Sequence, residues 1–342
     1  MNNIKKHLLT ISLFLLLFVS PTFCLATEAK IESVFYMSNL REKEGIASLK
    51  KNAEKIDILA PQFYAISNKL KLTGGLDANL KNVIKQKKVK KVMPLVANQG
   101  FKQSIMHNLL TSPKAQDEII KALVKEALKQ KYIGWQFDFE NISYKDKDLY
   151  SSFIEKTAKS FKKNKLILSI AAVSRYTDYE DTSFYRNWSG AFDYERISKA
   201  VDFISLMTYD DPESKGPVAS TPYVNKVLEY VKDKIPAEKL SFGIPLYYWG
   251  WSLEPLKKIR FNGTYQMVLD RQSKYKNEVG FDESLGTAWI SYLYQDKWYK
   301  IWYEDKKSFD IRLDIIKQNK LRGFSAWVLG SEDSNIWESL SK

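Results

Sequence analysis

The segment Ile133-Gly134-Trp135-Gln136-Phe137-Asp138-Phe139-Glu140-Asn141 concentrates more reactive chemistry than any other stretch of the chain. On a strand, side chains alternate, so Gln136, Asp138 and Glu140 share one face while Trp135, Phe137 and Phe139 share the other. Two carboxylates and an amide on one face offer acid–base and charge-stabilising chemistry. A purely structural role fits poorly. Buried carboxylates cost several kcal/mol unless paired or hydrogen-bonded, and no Arg or Lys shares their strand face.

The elements around this segment predict how it is held. Short apolar runs of strand length recur at 33–38, 56–64, 90–97, 133–141, 166–173, 201–209, 240–247 and 321–329. Between them lie amphipathic stretches such as 116–130, 149–162, 222–234 and 308–319, with apolar positions three and four residues apart. Eight strand-helix units predict an α/β fold, a (β/α)8 barrel, with 133–141 as its fourth strand. Its aromatic face would pack under the helices. The carboxylates would then point inward at the C-terminal end of the strand, where barrel enzymes place catalytic groups. One interval is too long for the rhythm, so a small α+β lobe at about 252–306 is expected between strands seven and eight. Residues 285–294 and 297–302 alternate around Gln295-Asp296 and read as a hairpin, with Trp289, Trp298 and Trp302 expected as the core of the lobe.

At these residues the chain resembles glycoside hydrolase family 18, the chitinase-like barrels, whose strand-four motif ends in Asp-x-Asp-x-Glu. Further matches follow in the family's order: Val92-Met93-Pro94-Leu95-Val96, Leu206-Met207-Thr208-Tyr209-Asp210, Gly216-Pro217-Val218-Ala219, Gly243-Ile244-Pro245-Leu246-Tyr247, Trp302-Tyr303-Glu304-Asp305, and Leu321-Arg322-Gly323 leading to Trp327. Phe139-Glu140-Asn141 resembles the spore-cortex and cell-wall branch. The resemblance implies Glu140 as the general acid and Asp138 as the group that orients the substrate's 2-acetamido group and stabilises an oxazolinium-like intermediate. It also implies Tyr209 as a hydrogen-bonding partner of that acetamido group and Trp327 as the floor under the sugar. Enzymes of this class use no protein nucleophile. The family carries acids where this chain has Ile133 and Gln136, so only the last two acids of the motif are present. Losing a carboxylate beside Asp138 removes a like charge that would disfavour its ionisation.

Other binding candidates rest on strand ends. Gln136 lies on the motif face, and Tyr247 begins an aromatic cluster with Tyr248, Trp249 and Trp251, flat rings that suit sugar faces. Asp210 follows Tyr209 at a βα loop. Gln62 and Tyr64 end strand two, and Asn98 and Gln99 end strand three, where inward polar groups would reach the cleft.

Composition sets the remaining bounds. With 44% hydrophobic positions, 9 Trp, 20 Tyr and 18 Phe in 342 residues, a disordered chain is excluded. Lys5 and Lys6 precede an apolar run over 8–19, and Cys24-Leu25-Ala26 suits cleavage, so residues 1–26 read as a secretory signal and 27–342 as the mature barrel, the alternatives being lipidation at Cys24 or an uncleaved anchor. A secreted, periplasmic or cell-surface protein is expected, without a membrane span once the signal is removed. Cys24 is the only cysteine, so the mature chain holds no disulfide. His107 is the only histidine after that segment; no metal site, cofactor or phosphate loop is expected. The net charge of +13 is carried by lysines dispersed on helical stretches such as 121–131 and 156–165, which argues against nucleic acid and leaves an anionic polymer at a cell surface as the use of the charge.

The expected activity is therefore a retaining, substrate-assisted hydrolysis of β-linkages after N-acetylglucosamine, in peptidoglycan or chitin-type oligosaccharides, by a monomer. The alternatives are a chitinase-like carbohydrate-binding protein without catalysis, or endo-action on glycoprotein glycans.

Overall fold

The computed structural model describes residues 31–254 and 259–340, so the signal expected over 1–26 lies outside the described residues. The strands in chain order are β1 (Glu32–Ser38), β2 (Ile58–Ile66), β3 (Leu72–Gly74), β4 (Leu95–Asn98), β5 (Gly134–Asp138), β6 (Ile167–Val173) and β7 (Phe203–Met207). They continue as β8 (Leu240–Pro245), β9 (Tyr247–Ser252), β10 (Arg260–Thr264), β11 (Asn277–Asp282), β12 (Thr287–Tyr294), β13 (Lys297–Tyr303) and β14 (Gly323–Trp327). Eight of them, in the order β1-β14-β8-β7-β6-β5-β4-β2, pair in parallel and close through β1 and β2. This is a (β/α)8 barrel.

Helices cover the outside because their apolar stripes face the strands. The helix Pro113–Gln130 starts with Pro113 and a Ser112 cap that accepts from the Ala115 N–H, and it buries Ala115, Ile119, Ile120, Leu123 and Ala127. Trp135 of β5 docks under it and donates its indole N–H to the Leu123 carbonyl at 3.0 Å. Phe137 stacks on Phe153 of the next helix, ring centroids 5.9 Å apart. The aromatic face of β5 therefore lies outside the barrel and the polar face inside.

Most barrel strands are shorter than the apolar runs that mark them: the fourth, sixth and eighth end at Asp138, Met207 and Trp327, and the second is shifted to Ile58–Ile66. The third barrel strand begins at Leu95 and not near residue 90; before it Val92 only bridges Leu59, and Pro94 has no N–H to offer a ladder. The seventh ends at Pro245 for the same reason, and the inserted lobe begins at Tyr247, not near 252.

The lobe is an antiparallel sheet, β10-β9-β13-β12-β11, with β12 and β13 joined through Gln295-Asp296. Its core is Tyr248, Val268, Ile290, Tyr292 and Ile301, under the helix Tyr265–Lys274. Trp289, Trp298 and Trp302 are not in that core: they lie on the opposite face by alternation, where Lys300 sits over the Trp289 and Trp302 rings at 4.2 and 4.3 Å.

A buried ion pair ties the lobe's exit to the barrel. Arg312, fully buried on the helix Lys306–Gln318, lies 3.5 Å from Glu304 and donates to the Ala219 carbonyl and Thr221 hydroxyl at 2.6 and 2.8 Å. Burial pushes Glu304 up to about 7 despite the guanidinium. Replacing Arg312 by Met leaves that carboxylate unpaired, and a loss of about 3–5 kcal/mol is expected at pH 8. Because Glu304 can be neutral below its raised pKa, the loss should shrink at pH 5. Thermal unfolding of both proteins at the two pH values checks this.

Candidate active site

A cavity of about 610 Å³ opens at the C-terminal end of the barrel, between the βα loops and the lobe. Glu140, Tyr209, Asp210, Tyr247 and Trp327 all line it. Asp138, one strand repeat deeper than Glu140, is nearly inaccessible at 4% exposure. The two carboxyls thus stand in series along the wall made by β5 and its exit, the inner one enclosed and the outer one partly open.

Their environments set their proton affinities. Burial pushes the Asp138 carboxyl up to about 6, against the opposing pull of the Gln62 amide, which donates to Oδ2 at 2.9 Å. Burial also drives Glu140 well above the usual carboxyl range, and the charges of Asp138 and Asp210 add to it. The inner carboxyl thus gives up its proton near pH 6, and the outer one holds its proton to higher pH than an ordinary carboxyl. Gln62→Met removes the one side-chain hydrogen bond to Asp138 among the described residues, so its midpoint should rise above 6, by about one pH unit. A 13C NMR titration of the labelled carboxyl reads the shift; an unmoved midpoint would show that the amide does not hold the charge.

The remaining predicted residues divide. Asn98 does not face the cavity: its amide donates to the Glu140 carbonyl at 3.0 Å and its Oδ1 accepts the Glu140 N–H at 3.0 Å. It is a two-point clamp on the main chain of the outer acid. Gln136 is fully buried below Asp138 and donates to Ser169 and Ser205 at 2.8 and 2.7 Å. Ser205, Ser325 and Ser241 continue the chain at 2.7 Å steps, so a ring of serines from β6, β7, β14 and β8 fills the layer beneath the carboxyls. Gln136 has no path to a ligand in the cavity, contrary to expectation. Tyr64 is also displaced from the predicted place. A register shift between Gln62 and Tyr64 turns it outward, where it packs edge-on against Trp135 at 4.8 Å and hydrogen-bonds Tyr132 at 2.9 Å. Gln62 keeps the inward direction.

Tyr209 stands against Gly243, where a Cβ would come within 2.9 Å of its ring, so the glycine makes room for the tyrosine. Tyr247 meets Tyr209 edge-on at 6.3 Å and donates its hydroxyl to Asp210 at 2.5 Å. Asp210 occupies a left-handed backbone conformation, φ +58°, and burial raises its pKa against the effects of Tyr247 and Arg260. Trp327 lies at the end of β14 with the buried Tyr36 5.4 Å away.

Several wall residues carry no motif of their own. Arg41, Trp188, Arg260 and Asn262 also line the cavity, and Arg260 lies 4.2 Å over Trp249. Arg260 and Asn262 come from β10 of the lobe, an element with no strand signature in the sequence beyond its neighbours. Among the described residues there is no cluster of His, Cys, Asp and Glu that could hold a metal ion. No helix among them is long and apolar enough to cross a membrane.

The family described as Glycosyl hydrolases family 18 matches residues 32–332. The uncharacterized glycosylase YvbX of Bacillus subtilis is 26% identical over 306 residues, 86% of this chain and 87% of that protein. The cortical fragment-lytic enzyme of Bacillus subtilis is 26% identical over 254 residues, covering 71% of this chain but 57% of its own length. Among solved structures, the spore cortex-lytic enzyme SleL of Bacillus megaterium superposes with a TM-score of 0.83 at 24% identity, covering 92% of this chain and 74% of that one.

Proposed function

We infer that this chain, which belongs to the glycosyl hydrolases of family 18, is a secreted glycosidase that cleaves β-1,4 bonds after N-acetylglucosamine with retention of configuration. The observation that carries the reading is the pair in series, a buried Asp138 held by Gln62 and a partly open Glu140 that burial and like charge keep protonated.

The steps are those the family resemblance implies, and the two proton affinities suit the roles it gives to Glu140 and Asp138. The substrate's acetamido carbonyl oxygen attacks the anomeric carbon as the glycosidic C–O bond breaks, and Glu140 gives its proton to the leaving oxygen. The new ring is a cation. Asp138, ionised above about 6, balances that charge and accepts from the acetamido N–H, with Tyr209 as the second hydrogen-bonding group. Water then opens the ring as the Glu140 carboxylate takes its proton, and two inversions restore the β configuration. Trp327 and Tyr247 supply flat apolar surface for the sugar ring, and Asp210 with Arg260 supplies polar contacts at the rim.

Peptidoglycan is the favoured polymer over chitin. The support is the similarity to a cortical fragment-lytic enzyme, of whose length this chain spans about half, and the basic charge. Mass spectrometry of products from purified peptidoglycan and from chitooligosaccharides, with wild type and Glu140→Gln, tests the reading. Release from peptidoglycan by wild type alone supports it; binding of both proteins without any product would leave a carbohydrate-binding protein in its place.

A further inference from the structure

The end of the barrel opposite the cavity concentrates the chain's positive charge. The seven segments that run from the last helical turn into a barrel strand, 50–57, 85–94, 129–133, 162–166, 199–202, 232–239 and 317–322, hold twenty Lys and Arg against five Asp and Glu. Their net charge exceeds the +13 of the whole chain. The βα loops around the cavity, 39–41, 67–77, 99–102, 139–146, 174–193, 208–220 and 328–340, hold eight basic residues against thirteen acidic ones. The lysines are therefore not dispersed, as their spacing along the chain suggests, but gathered on one face.

Helix dipoles explain part of this, because a cation in the last helical turn is favourable. They do not explain the rest. Lys87, Lys88, Lys90, Lys131 and Lys165 lie past the helix ends, and twelve of the twenty are exposed and form no ion pair or side-chain hydrogen bond among the described residues. A second observation is independent of the count. Four helices end in a left-handed residue whose usual occupant is glycine or asparagine, and all four are lysine: Lys88, Lys131, Lys165 and Lys320, with φ between 50° and 60°. Each closes its turn by the 6→1 backbone bond, for example Leu166 N–H to the Phe161 carbonyl. The fold would prefer glycine at these positions. The charge is present against local conformational preference.

The face also has relief. A groove of about 530 Å³ is lined by Lys81, Lys85, Lys88, Lys90 and Lys131 with no acidic residue on its wall. A second, of about 780 Å³, is lined by Lys159 and Lys162 of the helix Lys147–Lys163 and by Lys165 after it; its two acids are engaged, Glu155 by Arg196 and Asp202 by the Leu168 N–H. Of the large exposed apolar side chains only Leu128 lies near this face, so it lacks the anchors of a membrane-inserting surface. The exposed aromatic rings among the described residues, Tyr179, Tyr294 and Trp298, lie in a βα loop and in the lobe, so this face has no such stacking platform for bases.

We propose that this face binds a linear polyanion, a phosphodiester polymer of the cell wall, which holds the enzyme on the wall while the cavity at the far end faces glycan. The charge arrangement stands without the proposed activity; the choice of a wall polymer rests on that reading.

The test is sedimentation of the mature full chain with Gram-positive walls that carry their phosphodiester polymer, the same walls stripped of it by hydrofluoric acid, and phosphatidylglycerol vesicles. Wild type should bind the polymer-bearing walls at least tenfold more tightly than the stripped ones, and added salt should weaken that binding steeply. The combined Lys88→Gly, Lys131→Gly, Lys165→Gly and Lys320→Gly variant should lose roughly tenfold or more at low salt, with an unchanged or raised Tm. A control with Lys43, Lys69, Lys145 and Lys215 changed to Gln removes equal charge elsewhere and should stay within about twofold. Equal binding to stripped walls, equal losses in both variants, or tighter binding to the vesicles would each overturn the proposal. Turnover of soluble chitooligosaccharide, measured in parallel, should be the same in both variants. If wild type shows none while the binding pattern holds, the catalytic reading fails and the binding site stands.

Discussion

Glu140→Gln is expected to lower kcat on natural glycan by about 10²–10⁴-fold while leaving oligosaccharide binding nearly intact. Gln has the size and hydrogen-bonding reach of Glu and lacks the proton. The loss should depend on the leaving group: an aryl glycoside departs without protonation, so the variant should regain much of its rate on such a substrate. The pH profile carries the same signature. A general acid works in its protonated form, so the wild-type rate should fall on the alkaline side as pH rises through the raised Glu140 pKa, and that limb should vanish in the variant. Wild-type turnover by Glu140→Gln would remove Glu140 from the reaction and leave Asp210 as the other carboxyl of the cavity.

How much of this site can be read from the residues alone depends on how local each placement is. Asp138 and Glu140 are legible from alternation along a single segment, whereas Tyr209 and Trp327 are marked only by the family resemblance; Glu140 and Tyr209 lie two residues past the ends of β5 and β7. Tyr64 follows the same rule on paper and breaks it in space, because the register shift after Gln62 exchanges the faces and no residue type marks the extra position. Asn98 and Gln136 are polar groups at legible places whose partners come from other strands: Asn98 meets Glu140 across β4 and β5, and Gln136 meets serines of β6 and β7. Only the closed barrel shows that both serve other residues and not a ligand. Arg260 and Asn262 reach the cavity through the lobe, more than a hundred residues along the chain from Glu140, and periodicity has nothing to say about such a contact. The gathered lysines are a similar case. Each is an ordinary solvated residue near a helix end, and the barrel topology alone brings the seven segments to one face.

Asp138→Asn should cost about 10²–10³-fold in kcat, roughly 3–4 kcal/mol of stabilisation of the cationic intermediate and the transition states that flank it. Asn keeps the shape and can still accept from Gln62, so the missing element is charge. Two pH effects follow. The rise of kcat/KM through about 6, where Asp138 becomes the anion, should disappear. Because Asp138 also raises Glu140, the alkaline limb should move to lower pH. The folded protein should report the same charge in the opposite sense. A carboxyl whose folded pKa lies above its unfolded value contributes stability that is full below the unfolded pKa, near 3.8, and is lost as pH rises through about 6. At pH 7 the wild type therefore carries an ionised group that the fold disfavours by up to about 3 kcal/mol, and Asn removes that cost. Asp138→Asn should be nearly inactive and at least as stable as wild type at pH 7, with a shallower fall in Tm between pH 4 and 7. A variant that lost stability and activity together would mean that Asp138 is a structural group whose removal damages the barrel. The opposite signs would identify a buried charge that the fold tolerates because the reaction uses it.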